Sequence, residues 1–352
     1  MLAVLPHFVG SDLEFVALAP STGPLSAQLS TLGVPVLNFD PLDEIGERRS
    51  PPKLLEEIRS VAARVRPDLI HGNSLSIGRL TGTLAPELGV PTTAHLRDIV
   101  GLSDHAVKQL NANRALVAVS RAVRDFHASQ GLEAARTHVV YNGIDSDAFR
   151  SRDCCKSLRT ELSLPPDTCL VAAIGQICLR KGQDVFAKAA ALASPRMPEA
   201  HFLLIGERHS EKTETALYDE AISFEFAMAG LKDRFHRLGY RSDIEHLLPQ
   251  IDLVVHAARQ EPFGRVLLEA AAAQRPIIAT RVGGTEEMVC DGESAILIEA
   301  NQPTTLADAM ARLHDDRLLG ARLGAAARER VASHFSIEQS ARGLSEVWRR
   351  AR

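Results

Sequence analysis

The chain has 352 residues, 45% hydrophobic and 24% charged, with a formal net charge of −4. That length is too great for a single hydrophobic core, so two domains are expected. The near-balanced charge excludes the basic footprint of a nucleic-acid binder, and no run approaches the ~18 apolar residues of a bilayer-spanning helix. The opening Met1-Leu-Ala-Val-Leu-Pro6 lacks the basic leader and cleavage site of a signal peptide. The five cysteines contain no Cys-x-x-Cys pair, and adjacent Cys154 and Cys155 are poorly placed to bridge each other. An odd, scattered set fits free thiols in a reducing cytoplasm. Arg48, Arg49, Arg59, Arg64 and Arg66 cluster in the N-terminal third. The bland reading is a solvated helix face. The sharper one is a patch that meets anionic lipid or an anionic acceptor in transient contact with the inner face of a membrane.

Short apolar or β-branched runs alternate with helical patterns from the start. Strands are predicted at Leu13–Ala19, Val34–Phe39, Leu69–His71, Pro91–His95, Ala115–Val119 and His138–Tyr141. Helical patterns include Pro24–Leu32, Lys53–Val65 and Arg121–Gln130, with Gly33 and Gly131 where C-caps fall. The rhythm breaks between Asp145 and Thr168, a segment read as the crossing into a second domain. A second series follows at Cys169–Ile174, His201–Ile205, Phe235–Leu238, Ile251–His256, Pro276–Thr280 and Ala295–Ile298. Helical patterns at Pro303–His314, Arg317–Ser333 and Ile337–Arg350 close the chain. This βαβα order predicts an α/β protein of two doubly wound, Rossmann-like domains, 1–150 and 151–335. Residues 336–352 are expected to form a helix packing back on the first domain. Ligands in such sheets bind outside the C-terminal strand ends, so a cleft between the halves is expected.

The motifs that carry chemistry sit mostly in the second half. Gly175-Gln176-Ile-Cys-Leu-Arg180-Lys181-Gly182 follows a predicted strand and precedes a helical pattern, where a lysine reaches a diphosphate as a point charge. Gly239-Tyr240-Arg241-Ser242-Asp243 ends another strand and caps the next helix. Glu261-Pro-Phe263-Gly264-Arg265-Val-Leu-Leu-Glu269 joins a buried-strand pattern to an apolar helix. Its helix start is an anion site, and its two carboxylates can grip hydroxyls on either side. Those carboxylates need not face one bond, which argues against the acid pair of a glycosidase. In the first half His71, with Asn73 and Ser74, and His95, with Arg97, end neighbouring strands and point toward the expected cleft. Asp145-Ser146-Asp147 spells Asp-x-Asp, but at a domain crossing rather than in a metal-binding context, and no other cluster has zinc-like spacing. No Gly-x-Gly-x-x-Gly, P-loop or Gly-x-Ser-x-Gly motif is present.

Together these stretches resemble the retaining glycosyltransferases of group 1, the GT4 family, whose fold is GT-B. The signature is Glu-x7-Glu at Glu261 and Glu269, preceded by a Gly-Arg-x4-Lys-Gly element that matches Gly175 to Gly182. Flanking stretches at Arg281 to Glu287, Asp291 to Glu293 and Tyr141 to Asp145 keep the family's order. The resemblance implies transfer of a sugar from a nucleoside diphosphate sugar to a hydroxyl of a glycan or lipid-linked acceptor, in cell-envelope polysaccharide or glycolipid synthesis, without cofactor or metal. It implies catalytic roles for Glu261, Lys181 and His95. Donor contacts fall to Gly175, Gln176, Arg180, Tyr240, Arg241, Phe263, Gly264, Arg265 and Glu269, with the acceptor side at His71, Asn73 and Arg97. The chain departs from the pattern at Gln176, where the family usually has arginine; Arg180 is read as supplying the missing charge. It also departs at the front, where the family's first strand and glycine-rich loop are expected to be absent. The alternatives are a nucleotide-sugar epimerase of the same fold and an inactive or truncated homologue that still binds nucleotide sugar.

Overall fold

The computed structural model describes residues 1–43, 45–150 and 157–352; Cys154 and Cys155 lie outside them. The chain divides into two compact units, Met1–Gly143 with Ile337–Arg352, and Ile144–Ser336. Both are α/β, and every pairing between named strands is parallel.

In the first unit, β1 (Ala17–Ala19) pairs with β2 (Val36–Asn38), and β3 (Ile70–Gly72), β4 (Thr92–Leu96), β5 (Ala115–Ala118) and β6 (Thr137–Val139) form a second sheet in chain order. Among the described residues no ladder joins the two sheets. A 3-10 helix, Leu2–Phe8, links their cores instead: Val4 and Phe8 pack in one apolar cluster and Leu5 in the other. β1 is shorter than its sequence pattern because Leu13 and Phe15 turn into the first cluster, and Phe15 lies 5.9 Å edge-on from Trp348. The helix Ile337–Ala351 belongs to this unit. Ala341, Leu344, Trp348 and Ala351 recur at helical spacing and cover Ala115, Val117 and Val140. A Cβ on Gly343 would stand 3.1 Å from Val140, so the helix presses close to the sheet.

The helix Leu75–Leu88 is obscured in the sequence by Gly78, Gly82 and Pro86. Its glycines are packing devices. A Cβ on Gly78 would stand 2.4 Å from the Ala94 side chain, and one on Gly82 1.8 Å from the Gln109 carbonyl. Ser74 caps its start, accepting from the Ile77 amide at 3.3 Å.

The second unit holds a six-stranded sheet of β7 (Cys169–Ile174), β8 (Ala200–Ile205), β9 (Phe235–Gly239), β10 (Leu253–His256), β11 (Ile277–Thr280) and β12 (Ile296–Ile298), in the order β12-β11-β10-β7-β8-β9. β7 and β10 are continuous buried apolar runs, as central parallel strands covered on both faces must be. Phe186, Phe202 and Phe226 anchor one side of the core, with ring centroids 5.8–6.2 Å apart. The chain runs outward from β7 through β9, then returns to the other side of β7 and runs outward through β12. The order therefore reverses between β7 and β10, and a doubly wound sheet opens its ligand crevice at that switch point.

Candidate functional site

The loops after β7 and β10 flank the switch point and carry the two strongest sequence motifs. After β7 the chain turns through Gly175 (φ 142°), makes a short 3-10 turn at Leu179–Lys181 and enters the helix Gln183–Ala193 through Gly182 (φ 66°). After β10 it passes Glu261 and enters the helix Arg265–Ala272 through Gly264 (φ 76°). First-turn N–H groups at such a start have no intrahelical acceptor and face an approaching anion.

These loops bring together Lys181 and Glu261, whose Nζ and Oε2 form a salt bridge with side chains 14% and 5% exposed. His256, at the end of β10, places Nε2 2.9 Å from the same Oε2, without hydrogen-bond alignment. Burial is the largest influence on Glu261 and pushes its pKa up; His256 and Lys181 outweigh burial and hold it well below the carboxylate range. Burial also lowers the pKa of His256, against the pull of Glu261. The Gly284 amide donates to the Glu261 carbonyl at 2.9 Å and fixes the backbone there.

Glu269 lies in the helix after Gly264, its side chain 16% exposed, with Arg265 3.3 Å away. Burial raises its pKa against the pull of Arg265. Arg265 itself points out, 74% exposed. Phe263 is buried, its ring 6.0 Å from Phe335, so only its backbone is offered to a ligand. Arg180 is exposed and makes no side-chain hydrogen bond or ion pair among the described residues. Gln176 uses its carbonyl to accept from Gln183 Nε2 at 2.8 Å. Tyr240 is 68% exposed. Arg241 is tied by two bonds to Asp243 (2.8 and 2.7 Å) and two to Glu161 (2.6 and 3.4 Å), so its guanidinium is engaged within the fold.

In the first unit, His71 on β3 and His95 on β4 share one sheet face, because His71 is in register with Thr93. Their rings meet edge-on at 5.6 Å. Arg97 Nη2 donates to Asn73 Oδ1 at 2.9 Å and lies 3.4 Å from His95 Nδ1. Trp348 Nε1 donates to His71 Nδ1 at 3.3 Å. Thr93 Oγ1 lies 2.8 Å from the same Nδ1. Nε2 of each histidine is buried with no hydrogen-bond partner among the described residues. Burial, reinforced by Arg97, lowers His71 to about 3 and His95 well below its usual value.

These two histidines make stability pH-dependent. An unfolded histidine binds its proton near pH ~6.5, whereas His71 resists protonation down to about 3. Between those values the unfolded state holds more protons, so stability is lost as the pH falls, by up to ~1.4 kcal/mol per pH unit per histidine. The melting temperature should fall steadily below pH ~6.5, and replacing both histidines by glutamine should flatten the decline. An unchanged decline in the double variant would contradict this assignment.

Sequence reasoning missed His256, which hides in an apolar strand pattern, and Trp348, whose partner is distant in sequence. Of the five clustered arginines, Arg49 pairs with Glu57, and Arg59 with Glu56 and Glu87. Arg48, Arg64 and Arg66 make no ion pair among the described residues. No helix among the described residues is long and apolar enough to cross a membrane, and no group of three or more His, Cys, Asp or Glu there is placed to hold a metal ion.

Two Rossmann-like units, one with its switch point lined by glycine turns and a buried Lys–Glu pair, give the chain the GT-B fold. The fold matches that of Anabaena HepE in complex with UDP-glucose, with TM-score 0.84 and 22% identity over 98% of this chain and 93% of that one. It also matches sucrose-phosphate synthase from Thermosynechococcus elongatus, with TM-score 0.83 and 20% identity over 99% and 91%. Residues 168–316 match the family model for glycosyl transferases group 1, and residues 4–148 that for Glycosyltransferase Family 4. The lipopolysaccharide core biosynthesis mannosyltransferase LpsB of Rhizobium meliloti is 28% identical over 259 residues, 73% of this chain and 70% of that protein. The D-inositol 3-phosphate glycosyltransferase of Thermobifida fusca is 28% identical over 304 residues, 81% and 70%. The chain belongs to the group 1, GT4 glycosyltransferases.

Proposed function

We propose that this glycosyltransferase moves a sugar from a nucleoside diphosphate sugar to a hydroxyl acceptor and keeps the anomeric configuration. The observation that carries the reading is the buried Lys181–Glu261 pair between the loops that flank the switch point, beside the helix start at Gly264. A cation, first-turn N–H groups and a carboxylate side by side support a site where diphosphate and sugar would meet. The HepE structures with UDP and with UDP-glucose support a donor of that class.

In this reading residues 151–335 hold the donor and residues 1–150 face the acceptor. Lys181, the exposed Arg180 and the N–H groups of Gly264 and Arg265 take up charge as the diphosphate departs. The charge comes from these groups rather than from a metal. Arg180 stands in for the arginine replaced by Gln176. Glu269 accepts from the ribose hydroxyls, Tyr240 stacks on the base, and Glu261 grips the donor sugar. His95 is neutral, so it hydrogen-bonds the sugar rather than acting as an acid. A donor phosphate oxygen takes the proton from the incoming hydroxyl. The acceptor is proposed to be a cell-envelope glycan or glycolipid, met at the inner face of a membrane, which the name of the LpsB relative supports.

Calorimetric titration with UDP, GDP and ADP tests the donor half. One nucleotide should bind, and Glu269→Ala should weaken it at least about tenfold, the worth of a lost pair of hydroxyl contacts. No binding to the folded protein, or equal binding by the variant, would sink the donor site. With the donor identified, a product of inverted configuration would refute retention. Conversion of donor alone to an isomer would identify an epimerase, and binding without turnover an inactive homologue.

A further inference from the structure

The turn that carries Lys181 and the loop that carries Glu261 are tied together by a side chain outside both motifs. Arg259 lies in the loop after β10. Its Nη1 donates to the Leu179 carbonyl at 2.8 Å and to Asp184 Oδ1 at 2.8 Å, and its Nη2 to Asp184 Oδ2 at 2.6 Å. Its Nε donates to Asn301 Oδ1 at 2.6 Å. Its own amide donates to the Arg180 carbonyl at 2.8 Å. One residue therefore holds the carbonyls of Leu179 and Arg180 and the first turn of the helix that follows Lys181.

Asp184 is fixed in turn. Tyr218 Oη lies 2.9 Å from Asp184 Oδ1 and 3.1 Å from Gln183 Oε1, and Gln183 donates to the Gln176 carbonyl at 2.8 Å. Both ends of the Gln176–Gly182 loop thus reach one network. The Arg259–Asp184 pair is bidentate, with side chains 26% and 21% exposed. A planar guanidinium fork makes such a pair geometrically specific in a way a lysine does not.

We infer that Arg259, seated on Asp184, is a positioning residue that latches the Lys181 turn to the Glu261 loop, so that the two groups meet the diphosphate sugar as one preset unit. This rests on reading Lys181 as a diphosphate contact. Arg259 touches no substrate in this arrangement; it acts through Lys181. Without it the turn loses its guanidinium tie to Asp184, and when a diphosphate draws Lys181 from Glu261 the lysine samples positions away from the crevice.

A double-mutant cycle on nucleoside diphosphate affinity tests the latch. The variants are Lys181→Ala, Arg259→Ala and the pair, each titrated with the nucleotide that the wild-type chain binds. Lys181→Ala should weaken binding about tenfold, the worth of one charge-assisted contact. Arg259→Ala should weaken it by a similar factor in the wild-type background and add almost nothing once Lys181 is gone. Arg259→Lys should recover little, because it keeps the charge and loses the fork. A merely structural arginine would impose the same proportional loss in both backgrounds, and that additivity would overturn the latch. Should Arg259→Ala fail to fold, the cycle is run with Arg259→Lys, for which the same coupling is expected. A neutral Lys181→Ala would instead bring down the donor-site reading, and the latch with it.

Discussion

Glu261→Gln should abolish most sugar transfer while leaving nucleotide binding intact or tighter. The carboxylate is buried against Lys181, so in the ligand-free protein it holds part of the charge that a diphosphate would use. Glutamine keeps the volume and a hydrogen-bonding oxygen but releases the ammonium. The incoming diphosphate then competes with a weaker partner, and affinity for nucleoside diphosphate should not fall. The sugar loses its charged grip, and groups that act on the reacting centre are commonly worth ~10²–10³ in kcat. Removing one partner of a buried pair also costs about 3–5 kcal/mol of stability, so folding is checked by melting in parallel. A loss of kcat by that factor with unchanged or tighter diphosphate binding supports the role. Parallel loss of both would make Glu261 structural, and unchanged kcat would remove it from the chemistry.

That prediction combines what the sequence makes legible with what it does not. The α/β alternation is readable because central strands such as β7 and most of β10 are apolar runs between helical patterns. Glu261 and Lys181 are readable because each sits at a strand-to-helix junction. Their pairing is not, since the residues are far apart in the chain and meet only because the strand order reverses between β7 and β10. The same limit hides Arg259, whose partner Asp184 lies in the helix that follows the other loop. Periodicity also fails where packing replaces it. The helix Leu75–Leu88 spends core-facing positions on Gly78 and Gly82 so that its backbone can approach β4 and Gln109. Conversely, Arg241 looks like a ligand contact in sequence, and the fold sets Asp243 and Glu161 around it.

Gly182→Ala should cost this protein more than any other single methyl at a glycine of the switch-point loops that leaves the charges untouched. Gly182 has φ 66°, a conformation that costs a residue with a Cβ ~1–2 kcal/mol. A Cβ there would also stand 1.9 Å from the Ala257 carbonyl oxygen and 2.8 Å from its carbon. Those atoms are backbone just past β10, so neither can swing aside as a side-chain tip would. The two loops must separate, and with them Lys181 from Glu261. Gly230→Ala is the control within the same unit: φ is 69° and nothing lies within 4 Å of the added Cβ. It should show the conformational cost alone, with nucleotide affinity unchanged. Gly182→Ala should lower the melting temperature further, by at least ~4 °C beyond the control, and weaken diphosphate binding about tenfold or more. Equal effects from the two variants would mean that the close approach of the loops is not what sets the site.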